Sequence, residues 1–143
     1  MKAIQLYIMV DDDAINNMLC TISLKRYLGD NIQVKSFTEP ELGLGFIKNE
    51  FNDIMQRAVL LLDVNMPTMT GWEFMEEFDN LSEEVQKLIS VYILSSSIDE
   101  QDKQRADSNK NIIGFISKPL TQEILISISN NQHISQKDQH FFS

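Results

Sequence analysis

Cysteine occurs once in this chain of 143 residues. A lone Cys20 in an apolar helical stretch allows no intramolecular disulfide and implies no oxidising compartment, so the thiol is expected to be buried and structural. Basic residues are few, 12 Lys and Arg against 21 Asp and Glu, for a net charge of −9. Such a chain repels a phosphate backbone and carries no basic run, which excludes direct nucleic-acid binding on electrostatic grounds. Long hydrophobic runs are also missing. No stretch approaches the roughly 18 apolar residues of a membrane helix, and the short run Ala3 to Val10 leads into three aspartates where a signal peptide would have a small-residue cleavage site. The expectation is a soluble, cytoplasmic protein without membrane insertion. Gly (5) and Pro (3) are too scarce to form a linker, so the chain reads as one domain over 1–130 followed by a short polar tail over 131–143, with no room for an effector domain.

What is present is a globular composition, 43% hydrophobic and 23% charged, arranged in alternating elements. Five short apolar or β-branched runs recur at Ile4–Val10, Ile32–Phe37, Ala58–Leu62, Ile89–Leu94 and Ile112–Ile116. Between them lie stripes at helical spacing: Ile15, Met18, Leu19 and Ile22; Leu42, Phe46, Ile47, Phe51 and Ile54; Phe74, Met75 and Phe78; Leu120, Ile124, Leu125 and Ile128. The segment Asp99–Asn111 is polar apart from Ala106, so a helix there touches the core lightly and is expected to be the most mobile. Capping boxes are expected at Thr38–Glu41, Thr70–Glu73 and Ser97–Glu100, and Asp13 is expected to cap the first helix. A β-α unit repeated five times is an α/β fold with a mainly parallel sheet and helices on both faces. The second run alternates polar and apolar as an edge strand does; Val59–Leu62 is apolar throughout as a central one is.

Ligands of such sheets collect beyond the carboxyl ends of the strands. The first run ends in Asp11-Asp12-Asp13, the third in Asp63, the fourth in Ser95-Ser96-Ser97 and the fifth in Ser117-Lys118-Pro119. Carboxylates gathered on one sheet edge repel one another unless a cation neutralises them. Oxygen ligands without His or Cys select a hard ion, and few of them suggest Mg²⁺ with retained waters rather than a Ca²⁺ cage.

In these four strand ends the chain resembles a two-component response-regulator receiver domain, of the stand-alone, single-domain kind. The stretches are Val10–Asp13, Leu62–Pro67, Leu94–Ser96 and Gly114–Leu120, in order and each at a predicted strand end, and the resemblance spans Ile4 to Ile128. It implies a doubly wound (βα)5, flavodoxin-like three-layer sandwich with strand order 2-1-3-4-5. It also implies that Asp63 is the phosphoacceptor, and that Asp11, Asp12, Asp63 and the Asn65 backbone carbonyl hold Mg²⁺ (or Mn²⁺), Asp11 mainly through water. Ser95, Ser96, Lys118 and Phe115 would be the phosphoryl-contacting and switch residues, with Pro119 setting the loop geometry through a cis bond. The implied partners are a sensor histidine kinase or histidine phosphotransfer protein, docking near Ala14, Ile15 and Met18, and a downstream protein target near Phe115. The implied role is a phosphorelay switch, not an enzyme beyond its own phosphorylation and dephosphorylation.

Other residues have plainer readings. Met66, Met69 and Trp72 are expected to pack around the loop after Asp63. His133 and His140, seven apart in a polar tail, share no helical face and are expected to be surface residues. Thr70 stands where the family often has Asp, Ser95 where Thr is commoner, and Phe115 fills the aromatic switch position without a hydroxyl. Two competing classes remain. A Mg²⁺-dependent aspartate-nucleophile phosphohydrolase fits D-x-D but wants Thr or Val where Ile15 stands and a cap domain besides; a receiver-like module could also act by phosphorylation-independent interaction. A flavin protein is disfavoured because the first strand ends in acids rather than a phosphate loop.

Overall fold

The apolar runs form five parallel strands, β1 (Leu6–Val10), β2 (Gln33–Phe37), β3 (Ala58–Asp63), β4 (Ile89–Ser95) and β5 (Ile112–Ser117), in the order β2-β1-β3-β4-β5. This is a computed structural model, and it describes residues 4–97 and 99–130. Among the described residues six helical segments connect the strands, α1 (Ala14–Leu28), α2 (Pro40–Gly45), α3 (Phe51–Ile54), α4 (Gly71–Phe78), α5 (Glu83–Leu88) and α6 (Glu100–Ser108), and α7 (Gln122–Ser129) follows β5. A π-helical turn, Phe46–Glu50, joins α2 to α3. The expected tail over 131–143, with His133 and His140, lies outside the described residues.

Side chains alternate across a strand, and the core divides accordingly. Leu6, Ile8, Val10, Leu60, Leu62, Val91 and Ile93 point to one face, where Phe46, Ile47, Phe51, Phe74, Phe78 and Val85 cover them. Tyr7, Met9, Val59, Leu61, Tyr92 and Leu94 point to the other, under Cys20 and Leu24 of α1 and Ile124, Leu125 and Ile128 of α7. Three layers result. Every residue of β1 and β3 is buried, while β2, at an edge, is only partly so, as the apolar and alternating runs predict. Cys20 is buried too, and burial pushes its thiol up to about 11, consistent with an inert structural thiol.

Two of the expected caps, Thr38 and Ser97, do not form, and two of the apolar stripes place residues in solvent. The stripe Ile15, Met18, Leu19 and Ile22 lies on α1 but faces outward, each residue more than half exposed; α1 buries Asn17, Cys20 and Leu24 instead. Leu42 of the second stripe is likewise exposed. Thr38 caps nothing, because Pro40 starts α2 and puts Glu39 at the cap position, without a side-chain bond. Ser97 does not cap α6, since Asp99 stands next to the first turn and accepts from Gln101 N–H at 2.8 Å. The Thr70–Glu73 box forms as expected, with both reciprocal bonds present. Helix α5 was not anticipated, although Ser82, which accepts from Val85 N–H, is an ordinary start signal.

Candidate functional site

The sheet order reverses between β1 and β3, and a crevice opens there at the carboxyl ends of the strands. Hydrogen bonds pin the four loops that meet in it. Asp11 N–H continues the ladder onto Phe37 C=O at 3.1 Å, Val64 N–H onto Leu94 C=O at 3.1 Å, and Lys118 N–H onto Ser95 C=O at 2.9 Å. The β4–β5 register shifts between Val91 and Tyr92 and then runs in step to Ser95–Ser117, which sets Lys118 beside the end of β4. The Lys118–Pro119 peptide is cis.

These loops bring Asp11, Asp12, Asp63 and Lys118 together. Carboxylate oxygens of the three acids lie within 4.8 Å of one another. Asp11 and Asp63 are buried, 1% and 4% exposed, while Asp12 faces solvent. Lys118 Nζ sits 2.6 Å from Asp11 Oδ2 and 3.6 Å from Asp63 Oδ1. Asp11 also accepts from Asp13 N–H at 2.9 Å and from Asn16 Nδ2 at 2.8 Å. Asp13 turns away to cap α1, taking Ile15 N–H at 3.0 Å. Asn65, exposed, donates its N–H to Asp63 Oδ1 at 3.4 Å.

Three acids against one ammonium leave the site with excess negative charge. Burial, and then the charge of Asp11, push the Asp63 carboxyl up to about 6, with Lys118 and the Asn65 N–H pulling the other way. Burial pulls Lys118 down, but the Asp11 hydrogen bond and the charges of Asp63 and Asp11 outweigh it and hold the ammonium above its ordinary value. The donor set is all oxygen, and Asp63 resists ionising without further positive charge. Both features fit a hard divalent cation such as Mg²⁺.

The remaining predicted residues are spread around this centre. Ser95 is fully buried, and its hydroxyl donates to Ser97 C=O at 2.6 Å while accepting Ser97 N–H at 3.2 Å, so it is turned onto its own loop. Ser96 is exposed. Phe115, paired with Ile93 in the sheet, is buried in the core on the α4 side. Met66 and Trp72 pack into that core, with Met69 against it. Trp72 in addition donates Nε1–H to Asp102 at 2.9 Å and lies under the Arg105 guanidinium at 4.8 Å, which ties α4 to the polar helix α6.

Gly71 was overlooked as a site residue because it reads as filler within the Thr70 capping box. A Cβ there would stand 2.7 Å from the Asp63 carbonyl oxygen and 3.0 Å from Val64 Cα, both backbone atoms that cannot yield, while its N–H bonds Val64 C=O at 2.9 Å. Gly71→Ala is therefore expected to destabilise the protein by about 1–3 kcal/mol and to displace the Asp63 loop. Urea denaturation measures the loss, and an unchanged midpoint would contradict it.

Comparison with known proteins agrees with this fold. The family model for the response regulator receiver domain matches residues 7–130. A two-component response regulator from Cytophaga hutchinsonii superposes with a TM-score of 0.81 at 25% identity, covering 92% of this chain and 97% of that one. A response regulator receiver protein from Dyadobacter fermentans gives 0.77 at 27% identity, covering 88% and 95%. The chemotaxis protein CheY4 of Vibrio cholerae, at 22% identity, TM-score 0.68 and coverage of 90% and 98%, shares the fold. No curated protein matches. Among the described residues no helix is long and apolar enough to cross a membrane.

Proposed function

Because this chain belongs to the response regulator receiver domain family, and so serves phosphorylation-based two-component signalling, we propose that Asp63 takes a phosphoryl group from a phosphohistidine at a Mg²⁺ site. The donor is a sensor histidine kinase or a histidine phosphotransfer protein. The observation that carries the reading is the convergence of Asp11, Asp12, Asp63 and Lys118 at the ends of three strands.

An Asp63 carboxylate oxygen attacks phosphorus, the bond from phosphorus to the donor imidazole breaks, and the imidazole leaves with the electron pair. Charge accumulates on the three equatorial oxygens, and catalysis consists of positioning and neutralising it. Asp12, Asp63 and the Asn65 carbonyl would hold Mg²⁺, with Asp11 reaching it through water, and the ion would supply positive charge against those oxygens. Lys118, already 3.6 Å from Asp63 Oδ1, supplies the rest from a flexible stem. The Ser95 hydroxyl turns from the Ser97 carbonyl to a phosphoryl oxygen, Ser96 leaves access, and Phe115 and α6 move to a second packing that a downstream protein reads. The chain promotes only its own phosphorylation and dephosphorylation, so it is a switch and not an enzyme acting on others.

The outward stripe of α1 supports direct docking of the donor. Ile15, Met18, Leu19 and Ile22 are 65, 55, 54 and 54% exposed, on the helix that Asp13 caps beside the acidic loop. Contiguous apolar residues of this kind mark contact surfaces. Met18→Asp is expected to slow transfer from a protein phosphohistidine by about tenfold or more, through a charge buried at the interface, while leaving transfer from acetyl phosphate unchanged. Equal loss with both donors would remove the docking role. The reading itself is tested by incubation with Mg²⁺ and acetyl phosphate followed by intact-mass analysis: one phosphoryl group per chain is expected. A chain left unmodified under conditions that label another receiver domain would refute it.

A further inference from the structure

Asp11 is the most deeply buried carboxylate of the site, and its Oδ2 accepts from two side chains at once, Lys118 Nζ at 2.6 Å and Asn16 Nδ2 at 2.8 Å. Its Oδ1 takes the Asp13 N–H at 2.9 Å. Asn16 lies in the first turn of α1, and its own N–H donates to the capping Asp13 carboxylate at 3.2 Å, so the start of the helix fixes where its amide points. The sequence offers no hint of this role, since Asn16 belongs to no motif and follows three more conspicuous aspartates.

Lys118 has two claims on it. To serve a phosphoryl oxygen on Asp63 the ammonium must move away from Asp11. Removing one partner of a buried ion pair leaves the other charge uncompensated, and the cost depends on what donors stay behind. Resting on the phosphoacceptor reading above, we infer that Asn16 is a positioning residue of phosphoryl transfer: its amide remains on Asp11 Oδ2 when Lys118 swings to the phosphoryl group. Asn16 thereby lets the ammonium leave, and keeps the Asp11 carboxylate oriented after it has left. The hydrogen bonds of Asn16 go to Asp13 and Asp11, so its effect on cation binding is secondary.

The test compares wild type, Asn16→Ala and Asn16→Gln. A hydrogen bond from a neutral amide to a carboxylate corresponds to about ten- to a hundredfold in rate if it is needed only after Lys118 has moved. With saturating Mg²⁺ and acetyl phosphate, Asn16→Ala is expected to be labelled slower by that factor, and Asn16→Gln, which keeps a donor on a longer stem, to recover part of the rate. Mg²⁺ affinity of the unphosphorylated protein, measured by calorimetry, is expected to change less than about threefold, because no charge facing the ion is altered. A stability readout accompanies these: Lys118→Met should lower the urea midpoint further in the Asn16→Ala background than in wild type, since Asp11 then keeps neither side-chain donor.

Labelling of Asn16→Ala at the wild-type rate, a parallel fall of rate and Mg²⁺ affinity, or equal Lys118→Met losses in both backgrounds would each overturn the inference while leaving the phosphoacceptor reading intact. A wild type that takes no label would overturn both together.

Discussion

Asp63→Asn is expected to take up no phosphoryl group and yet to be more stable than wild type in metal-free buffer at neutral pH. Burial and the Asp11 charge raise the Asp63 carboxyl to about 6 in the folded protein, against about 4 in an unfolded chain. The folded state therefore binds more protons than the unfolded one between those values. The stabilisation from this group is complete below pH about 4 and is lost as pH rises through about 6. At pH 7.5 the ionised carboxylate corresponds to a net cost on the order of 3 kcal/mol, with the opposing pull of Lys118 and the Asn65 N–H already contained in the raised value. An asparagine carries no charge to bury, so the variant should gain about 1–3 kcal/mol at pH 7.5, and the gain should fade towards pH 5. Mg²⁺ should narrow the difference at neutral pH by stabilising wild type more. Urea titrations at both pH values, with and without Mg²⁺, measure all of this. A variant less stable than wild type at pH 7.5 without metal would show that Asp63 is not under electrostatic stress.

The second large effect belongs to Lys118. Its ammonium is the cation paired with Asp11, and it also faces Asp63. Lys118→Met keeps most of the apolar stem and deletes the charge. Two buried carboxylates then face each other uncompensated apart from neutral donors, and a loss of about 3–5 kcal/mol is expected in metal-free buffer. Mg²⁺ should restore much of that stability, because a divalent ion supplies the missing charge. It should not restore phosphorylation. A donor aimed at the charge developing in the transition state contributes about 10²–10³ in rate, so labelling by acetyl phosphate should fall by that factor even at saturating Mg²⁺. Recovery of stability and rate together would mean that Lys118 acts only as a structural counter-ion.

The residues that converge in the crevice were legible in the sequence because each stands at the end of an apolar run, and a parallel sheet brings such ends to one edge. Asp11, Asp12, Asp63 and Lys118 are legible in that way, whereas Ser95, turned onto its own loop, and Phe115, in the core, are singled out by the family resemblance. The strand environment was legible for the same reason, since alternation and continuous apolarity report burial on one face or both. What could not be read depends on geometry between segments. Burial of Cys20 is expected from its type, but the stripe Ile15, Met18, Leu19 and Ile22 has the same helical spacing outward as inward, and only the packing on the sheet shows that Leu24 shares the Cys20 face. Gly71 became informative only when its distance to the Asp63 backbone was known, and Asn16 only when its amide was seen on Asp11 Oδ2. The caps at Thr38 and Ser97 failed for a local reason: Pro40 and Asp99, each closer to the true first turn, decide where the helix starts.

The most direct test of Asp63 as the phosphoacceptor is chemical trapping. An aspartyl phosphate is an acyl phosphate, and borohydride reduces it to homoserine while unmodified carboxylates survive. Protein incubated with Mg²⁺ and acetyl phosphate, then reduced and digested, should carry homoserine at position 63, and chelation of Mg²⁺ beforehand should abolish it. Homoserine at Asp11 or Asp12 with Asp63 untouched, or no homoserine in a preparation that carries the phosphoryl mass, would contradict the assignment.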